Sequence, residues 1–301
     1  MLTKIIIGKF REMLSNYRAG IPIAPSLEQP ECGAKIAQAL QEKNPYLVAR
    51  LGWMEGYTIG KLLSEGEVTL ALREKLMQHA GVFPPTVEEV KLFTDIYLEA
   101  LSYVDILGLI EAPYHGWLIK RYAKKAESAA LGSLEPYFSE DPWSSKLQGL
   151  KVLVIHPFVE SINKQYSTVR EKIFTNSKML PEFELKMIKA PQTITGNATE
   201  FVSWSATLKN LEEQVKKESF DVAIVGCGAY GFPLAAAIKK MGKISLHLGG
   251  ATQLLFGISG WRWAEHPAFL KYQSIMTEAW SRPLENERPV GWEKIENGCY
   301  W

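Results

Sequence analysis

The stretch Phe220–Trp263, FDVAIVGCGAYGFPLAAAIKKMGKISLHLGGATQLLFGISGWRW, constrains this chain most. Val222–Val225 is a continuous apolar, β-branched-rich run, the signature of a strand buried on both faces of a parallel sheet. Gly226, Gly228 and Gly231 follow in G-x-G-x-x-G spacing, and then come helix formers ended by Lys239, Lys240 and Gly242. A second strand, Ile244–Leu248, runs into Gly249-Gly250 and a helix-like segment over Ala251–Phe256. In such a β-α-β unit a ligand lies beyond the carboxyl ends of the strands, where glycine turns and helix N-termini offer N–H groups to phosphate. The alternative reading is that the glycines only serve tight turns and helix–strand packing. A dinucleotide site also wants an acidic residue about 20 residues on, at the end of the second strand. That region reads His247-Leu248-Gly249-Gly250, so NAD is not the expected cofactor and an NAD-linked oxidoreductase is the third-ranked function.

The rest of the chain repeats the pattern. Helices are expected over Leu2–Tyr17, Ala34–Glu42, Val87–Tyr103, from Ser161 to Phe174 and over Ser205–Lys217, and strands over Tyr46–Gly56, Asp105–Ile110, Leu150–Ile155 and Phe183–Lys189. Alternating β and α units predict an α/β, Rossmann-like, doubly wound and mostly parallel sheet with flanking helices. Residues 126–148, poor in periodicity and carrying Gly132, Pro136 and Pro142, read as a boundary. It divides an N-terminal α/β half, 1–140, from a C-terminal Rossmann-like half, 141–301, two halves that can also pack as one domain.

Polar residues gather where strands end. Arg50 and Glu55 flank Gly52, and Arg50 either clamps a phosphate with its planar fork or pairs with Glu55 at the surface. Glu111, Tyr114, His115 and Trp117 follow the expected strand at 105–110, His156 ends the strand at 150–155, and Ser161 is a candidate helix N-cap. A formal net charge of +1 argues against nucleic acid as a partner. The three scattered cysteines, Cys32, Cys227 and Cys299, suit a reducing cytoplasm better than a disulfide framework or metal cluster. No segment reads as a transmembrane span. The first helix, with Ile6, Phe10, Met13, Leu14 and Tyr17 apolar and Lys4, Arg11 and Arg18 opposite, reads as core-facing, with peripheral membrane contact or a partner helix as the alternative. Nine tryptophans, several of them near the C-terminus, read as loop packing or an oligomer interface before sugar stacking.

VARLGWMEG at 48–56, VLVIHPFVESI at 152–162 and DVAIVGCGAYGFPLA with HLGGATQLLFGISGWRW together resemble the GT-D-fold glycosyltransferases, closest to the bacterial branch found with surface-polysaccharide genes. The resemblance implies transfer of a sugar from a nucleotide-diphosphate donor to a glycan or glycosylated acceptor. It further implies an arginine, a glycine and an Asp-x-Glu, the acidic pair holding Mn or Mg on the diphosphate. Arg50, Gly52 and Glu55 match, while the aspartate position is Trp53, which leaves Glu55 as the one carboxylate for a metal. On this reading Glu55 and Glu111 are the catalytic candidates. Arg50, Gly52, His156, Ser161, Gly226, Gly228, Tyr230, Gly231, His247, Gly249, Gly250, Gln253 and Arg262 are the donor-binding ones. A non-catalytic nucleotide-sugar or glycan-binding module is the alternative, motivated by Trp53.

Overall fold

The computed structural model describes residues 2–197, 199–295 and 297–301, with the backbone alone at residues 2–8 and 10. Helices α1 (Leu2–Ala19) and α2 (Gln29–Glu42) lead into strand β1 (Tyr46–Arg50). Next come α3 (Trp53–Glu65), α4 (Leu70–Ala80), α5 (Val87–Tyr103), β2 (Ile106–Leu109), α6 (His115–Tyr122) and β3 (Glu127–Ala130). The chain continues through β4 (Lys151–His156), α7 (Val159–Ile173), β5 (Glu184–Lys189), α8 (Trp204–Lys216), β6 (Val222–Val225), α9 (Gly231–Lys240), β7 (Ile244–His247) and α10 (Trp261–Ala264).

The strands form one seven-stranded sheet in the order β3-β2-β1-β7-β6-β4-β5. Every pairing is parallel, with Val48 opposite both Ile106 and Leu246 and Val225 opposite both Ile155 and His247. Alternate side chains enter two different cores. Leu47, Ala49, Leu153, Ile155, Ala223 and Val225 pack with α3, α5, α8 and α9 on one face. Val48, Val152, Val154, Val222, Ile224 and Leu246 pack with α2, α7 and residues 249–256 on the other. A sheet covered on both sides needs no polar face, which is why inner strands such as β6 (VAIV) read as unbroken apolar runs, while the edge strands β3 (ESAA) and β5 (ELKMIK) carry charges. β4 connects outward to β5 while its neighbour β6 connects the other way, to β7. The loops after β4 and β6 therefore diverge and leave a crevice at the carboxyl edge.

Four local expectations change. The run 46–56 is a strand only as far as Arg50, because Gly52 adopts the extended backbone of an N-cap (φ −68°, ψ 153°) and starts α3 at Trp53. The stretch 126–148 is not without regular structure: it contains β3, whose Glu127 pairs with Ile106 of β2 at the edge of the sheet. The crowded loop after β2 is largely α6, entered through Tyr114 in a left-handed conformation. Along the described side chains of α1, Met13 and Tyr17 face solvent and Ser15 faces inward, its Oγ 2.5 Å from Tyr114 Oη and 2.8 Å from Glu65 Oε1. Polar contacts at Ser15, the half-buried Leu14, Arg18 over the Trp117 ring and Ala19 against the core dock this part of the helix. Ile6 and Phe10 lie outside the described side chains. Among the described residues no helix is long and apolar enough to cross a membrane.

Candidate functional site

A cavity of about 360 Å³ opens at the carboxyl edge of the sheet, where β1, β7, β6 and β4 end in Arg50, His247, Val225 and His156. Of the candidate residues it gathers Arg50, Gly52, Glu55, His156, Gly226, Gly228, Tyr230, His247, Gly249, Gly250 and Gln253. Gly226 donates its N–H to Ile155 O at 2.9 Å and so extends the β4–β6 ladder to the rim. Gly228 carries φ +58°, and the space beside its Cα is open to the cavity. Behind it a helical turn over Gly228–Tyr230 leads straight into α9, with the Tyr230 N–H on Cys227 O at 3.3 Å and the Gly231 N–H on Gly228 O.

Arg50 is the one lysine or arginine among the described lining residues. Its guanidinium lies over Gly249, where a Cβ would come within 2.9 Å of a terminal nitrogen, and Gly249 holds φ +61°, a conformation open chiefly to glycine. Arg50 Nε is buried without a hydrogen-bond partner. A desolvated, unsatisfied guanidinium N–H is costly unless something anionic or polar meets it. Gln253 makes the complementary demand. Its Nε2 donates to Ile258 O and Tyr300 O at 3.2 and 3.1 Å, which fixes the amide orientation and leaves the fully buried Oε1 without a donor.

Glu55 stands in the first turn of α3 with its carboxylate folded against Gly52, in space a Cβ there would occupy. Burial raises its pKa above the ordinary carboxylate value, opposed by a hydrogen bond from its own backbone and by the charge on Arg50. The cavity's two buried histidines titrate far below neutrality. Burial brings His156 down to about 3, and burial together with the Arg50 charge does the same to His247. Both are neutral near pH 7. His156 Nδ1 accepts the N–H of Phe158 at 3.0 Å, which places its proton on Nε2 and makes it an uncharged donor.

The remaining candidates stand elsewhere. Gly231 makes room for the His247 ring and does not line the cavity. Tyr230 does line it, but its hydroxyl is committed to Thr193 Oγ1 at 2.9 Å and its ring stacks on Trp204. Ser161 is not the N-cap of α7: that position is Phe158, and Ser161 is buried in the first turn. The carboxylate of Glu287 accepts the N–H groups of Glu160 and Ser161 at 2.8 and 3.2 Å and the Ser161 hydroxyl as well, so a side chain already fills that helix's anion position. Arg262 packs over Tyr300, Trp263 and Phe269 with a nitrogen 3.1 Å from Cys299 Sγ. Glu111 is exposed after β2, outside the cavity lining.

Sequence reasoning passed over Tyr97, Phe158, Thr193, Tyr300 and Trp301, which wall the cavity. The loop after β5 carried no motif, and the C-terminal aromatics gave only a packing signal. They do pack, Trp301 edge-on to Phe158 at 5.7 Å.

A hard divalent cation wants several oxygen ligands. Glu55 is the single acidic side chain among the described lining residues, and no group of three His, Cys, Asp or Glu side chains able to hold a metal occurs among the described residues. These side chains do not fit a Mn or Mg ion held by the protein alone.

A family model described as GT-D-like, a GT-D fold-like domain, matches residues 27–255. The chain belongs to the GT-D-like family. The match takes in β1 to β7 and the start of the segment after them. Two solved structures resemble this GT-D-like chain at low identity. One is the selenomethionine-substituted domain of unknown function 1792, at 12% identity and TM-score 0.44, covering 92% of this chain and 96% of that one. The other, described as showing that this highly conserved domain "has a distinct glycosyltransferase fold", stands at 11% and 0.43 with the same coverage. No curated protein matches the GT-D-like chain.

Proposed function

We propose that this protein is a glycosyltransferase that moves a sugar from a nucleotide-diphosphate donor to a glycan or glycosylated acceptor, in bacterial surface-polysaccharide synthesis and on the cytoplasmic side. One observation carries the reading. Arg50 and Glu55 meet the glycine turns after β6 and β7 in one cavity, although some 200 residues of chain separate β1 from β7.

Arg50 and the His156 Nε2–H favour the donor diphosphate and strengthen their hold as charge builds on the departing oxygen. The C1–O bond to phosphate breaks, a bond forms from C1 to the acceptor oxygen, and that oxygen's proton passes to the Glu55 carboxylate. A base in this role gives inversion at C1. A carboxylate whose pKa is raised toward neutrality is a better proton acceptor than a fully solvated one. Gln253 Oε1 takes a hydrogen that a phosphate cannot offer, such as that of a sugar or ribose hydroxyl. A non-catalytic nucleotide-sugar-binding protein is the second reading, supported by Trp53 where the resembled motif has its aspartate.

A thermal-shift panel with UDP, GDP and their sugars, each with and without manganese, tests the proposal. A ligand at 100 times its Kd stabilises by about 2.7 kcal/mol, which moves the midpoint of a protein this size by several degrees. The expected outcome is such a rise with at least one nucleotide diphosphate and none with NAD or NADP. A rise with NAD alone would overturn the proposal.

A further inference from the structure

Trp53 is the least explained side chain of the cavity. It is 46% exposed, although most large apolar side chains of this protein are buried. It lines the cavity at the first position of α3. One face of its indole stacks on Tyr57 (centroids 5.3 Å apart, planes 19° from parallel), one helical turn on. Tyr57 in turn leans on Tyr114 at 5.9 Å, and the buried Tyr114 is fixed by Ser15. A braced ring that keeps a face in a cleft is a preorganised stacking surface, since little of its rotamer freedom remains to be lost on binding.

We infer that Trp53 is the platform for a sugar ring of the acceptor, which it holds by stacking on the ring's C–H face. The inference rests on the transferase reading and specifies its substrate. Trp53 lies two residues before Glu55, in the same turn of α3. An acceptor hydroxyl that gives its proton to Glu55 must approach within about 3 Å of that carboxylate, and Trp53 lines the same cavity that the ring bearing it enters. The donor diphosphate belongs to the other wall, where Gly226, Gly228, Gly249 and Gly250 end β6 and β7. An aspartate at position 53 would offer no flat apolar surface.

Two readouts test this. In a transfer assay, Trp53→Ala raises the acceptor KM about tenfold or more, Trp53→Phe restores most of it, and the Kd for UDP or GDP by calorimetry stays within twofold of the parent. Independently of turnover, saturation-transfer NMR with methyl α- and β-hexopyranosides gives ring-proton signals with the parent chain that Trp53→Ala loses and Trp53→Phe keeps. A fall in nucleotide affinity with an unchanged acceptor KM would make Trp53 a base platform and overturn the inference. Unchanged glycoside signals in Trp53→Ala would also overturn it. Should the parent chain bind no nucleotide and transfer no sugar, the transferase reading falls, and the NMR result still decides whether Trp53 holds a sugar ring.

Discussion

Glu55→Gln abolishes sugar transfer and leaves donor binding in place. The amide keeps the size of the side chain and its position against Gly52, but it cannot accept the acceptor's proton, and a positioned base is worth about 10²- to 10⁴-fold in rate. Turnover is followed by release of nucleoside diphosphate, donor affinity by calorimetry. The pH profile makes the result specific. Burial raises the Glu55 pKa, so below that value the group holds its proton and kcat/KM falls, with an acid limb above the ordinary carboxylate range. The limb disappears in the variant. Stability supplies the control. A carboxyl whose pKa is higher in the folded than in the unfolded state favours folding at low pH and loses that contribution as pH rises through the folded value. Glutamine has no such loss, so Glu55→Gln melts no lower than the parent near neutrality. A variant that is stable, binds donor and still transfers at the parental rate would remove Glu55 from the chemistry.

Arg50→Met costs donor affinity on a comparable scale. A hydrogen bond to a charged group contributes about 1.5–3 kcal/mol, and each 1.4 kcal/mol is a factor of ten, so losing the fork weakens UDP or GDP binding by roughly 10²-fold or more. Arg50→Lys recovers little, because an ammonium group offers no planar pair of donors and its stem does not place an N–H where Nε now sits. Parental affinity in Arg50→Met, measured by calorimetry at fixed ionic strength, would show that the diphosphate lies elsewhere. Salt distinguishes the mechanism further: the affinity difference between parent and variant narrows as ionic strength rises, as charge pairing requires.

The sheet was legible because burial on both faces writes itself into composition. Val222–Val225, Leu150–Ile155 and Ile244–Leu248 read as strands, and the structure places all of them within a residue or two of those bounds. Helix α5 was legible end to end, since Val87–Tyr103 carries a full amphipathic period. Helices α3 and α4 were not, because Trp53–Glu65 contains two glycines and its start lies in an N-cap glycine that also resembles a turn. In the cavity, Arg50 and the glycine turns could be read from strand ends, whereas the place of Ser161 could not. Glu287, which occupies that helix's N–H groups, lies 126 residues away, and no local pattern carries such a partner. Thr193, Tyr300 and Trp301 were hidden for the same reason: loops and tails reach the cavity through tertiary packing, which leaves no period in the chain.

The position of β7 has a consequence for how the molecule is made. This last strand inserts between β1, nearly 200 residues earlier, and β6. Until roughly the first 247 residues have emerged from the ribosome, β1 and β6 each keep an unpaired edge, and Arg50 has no Gly249 to lie against. Sheet closure and assembly of the cavity at the carboxyl edge are thus a single late event in synthesis, and truncated products carry unpaired strand borders.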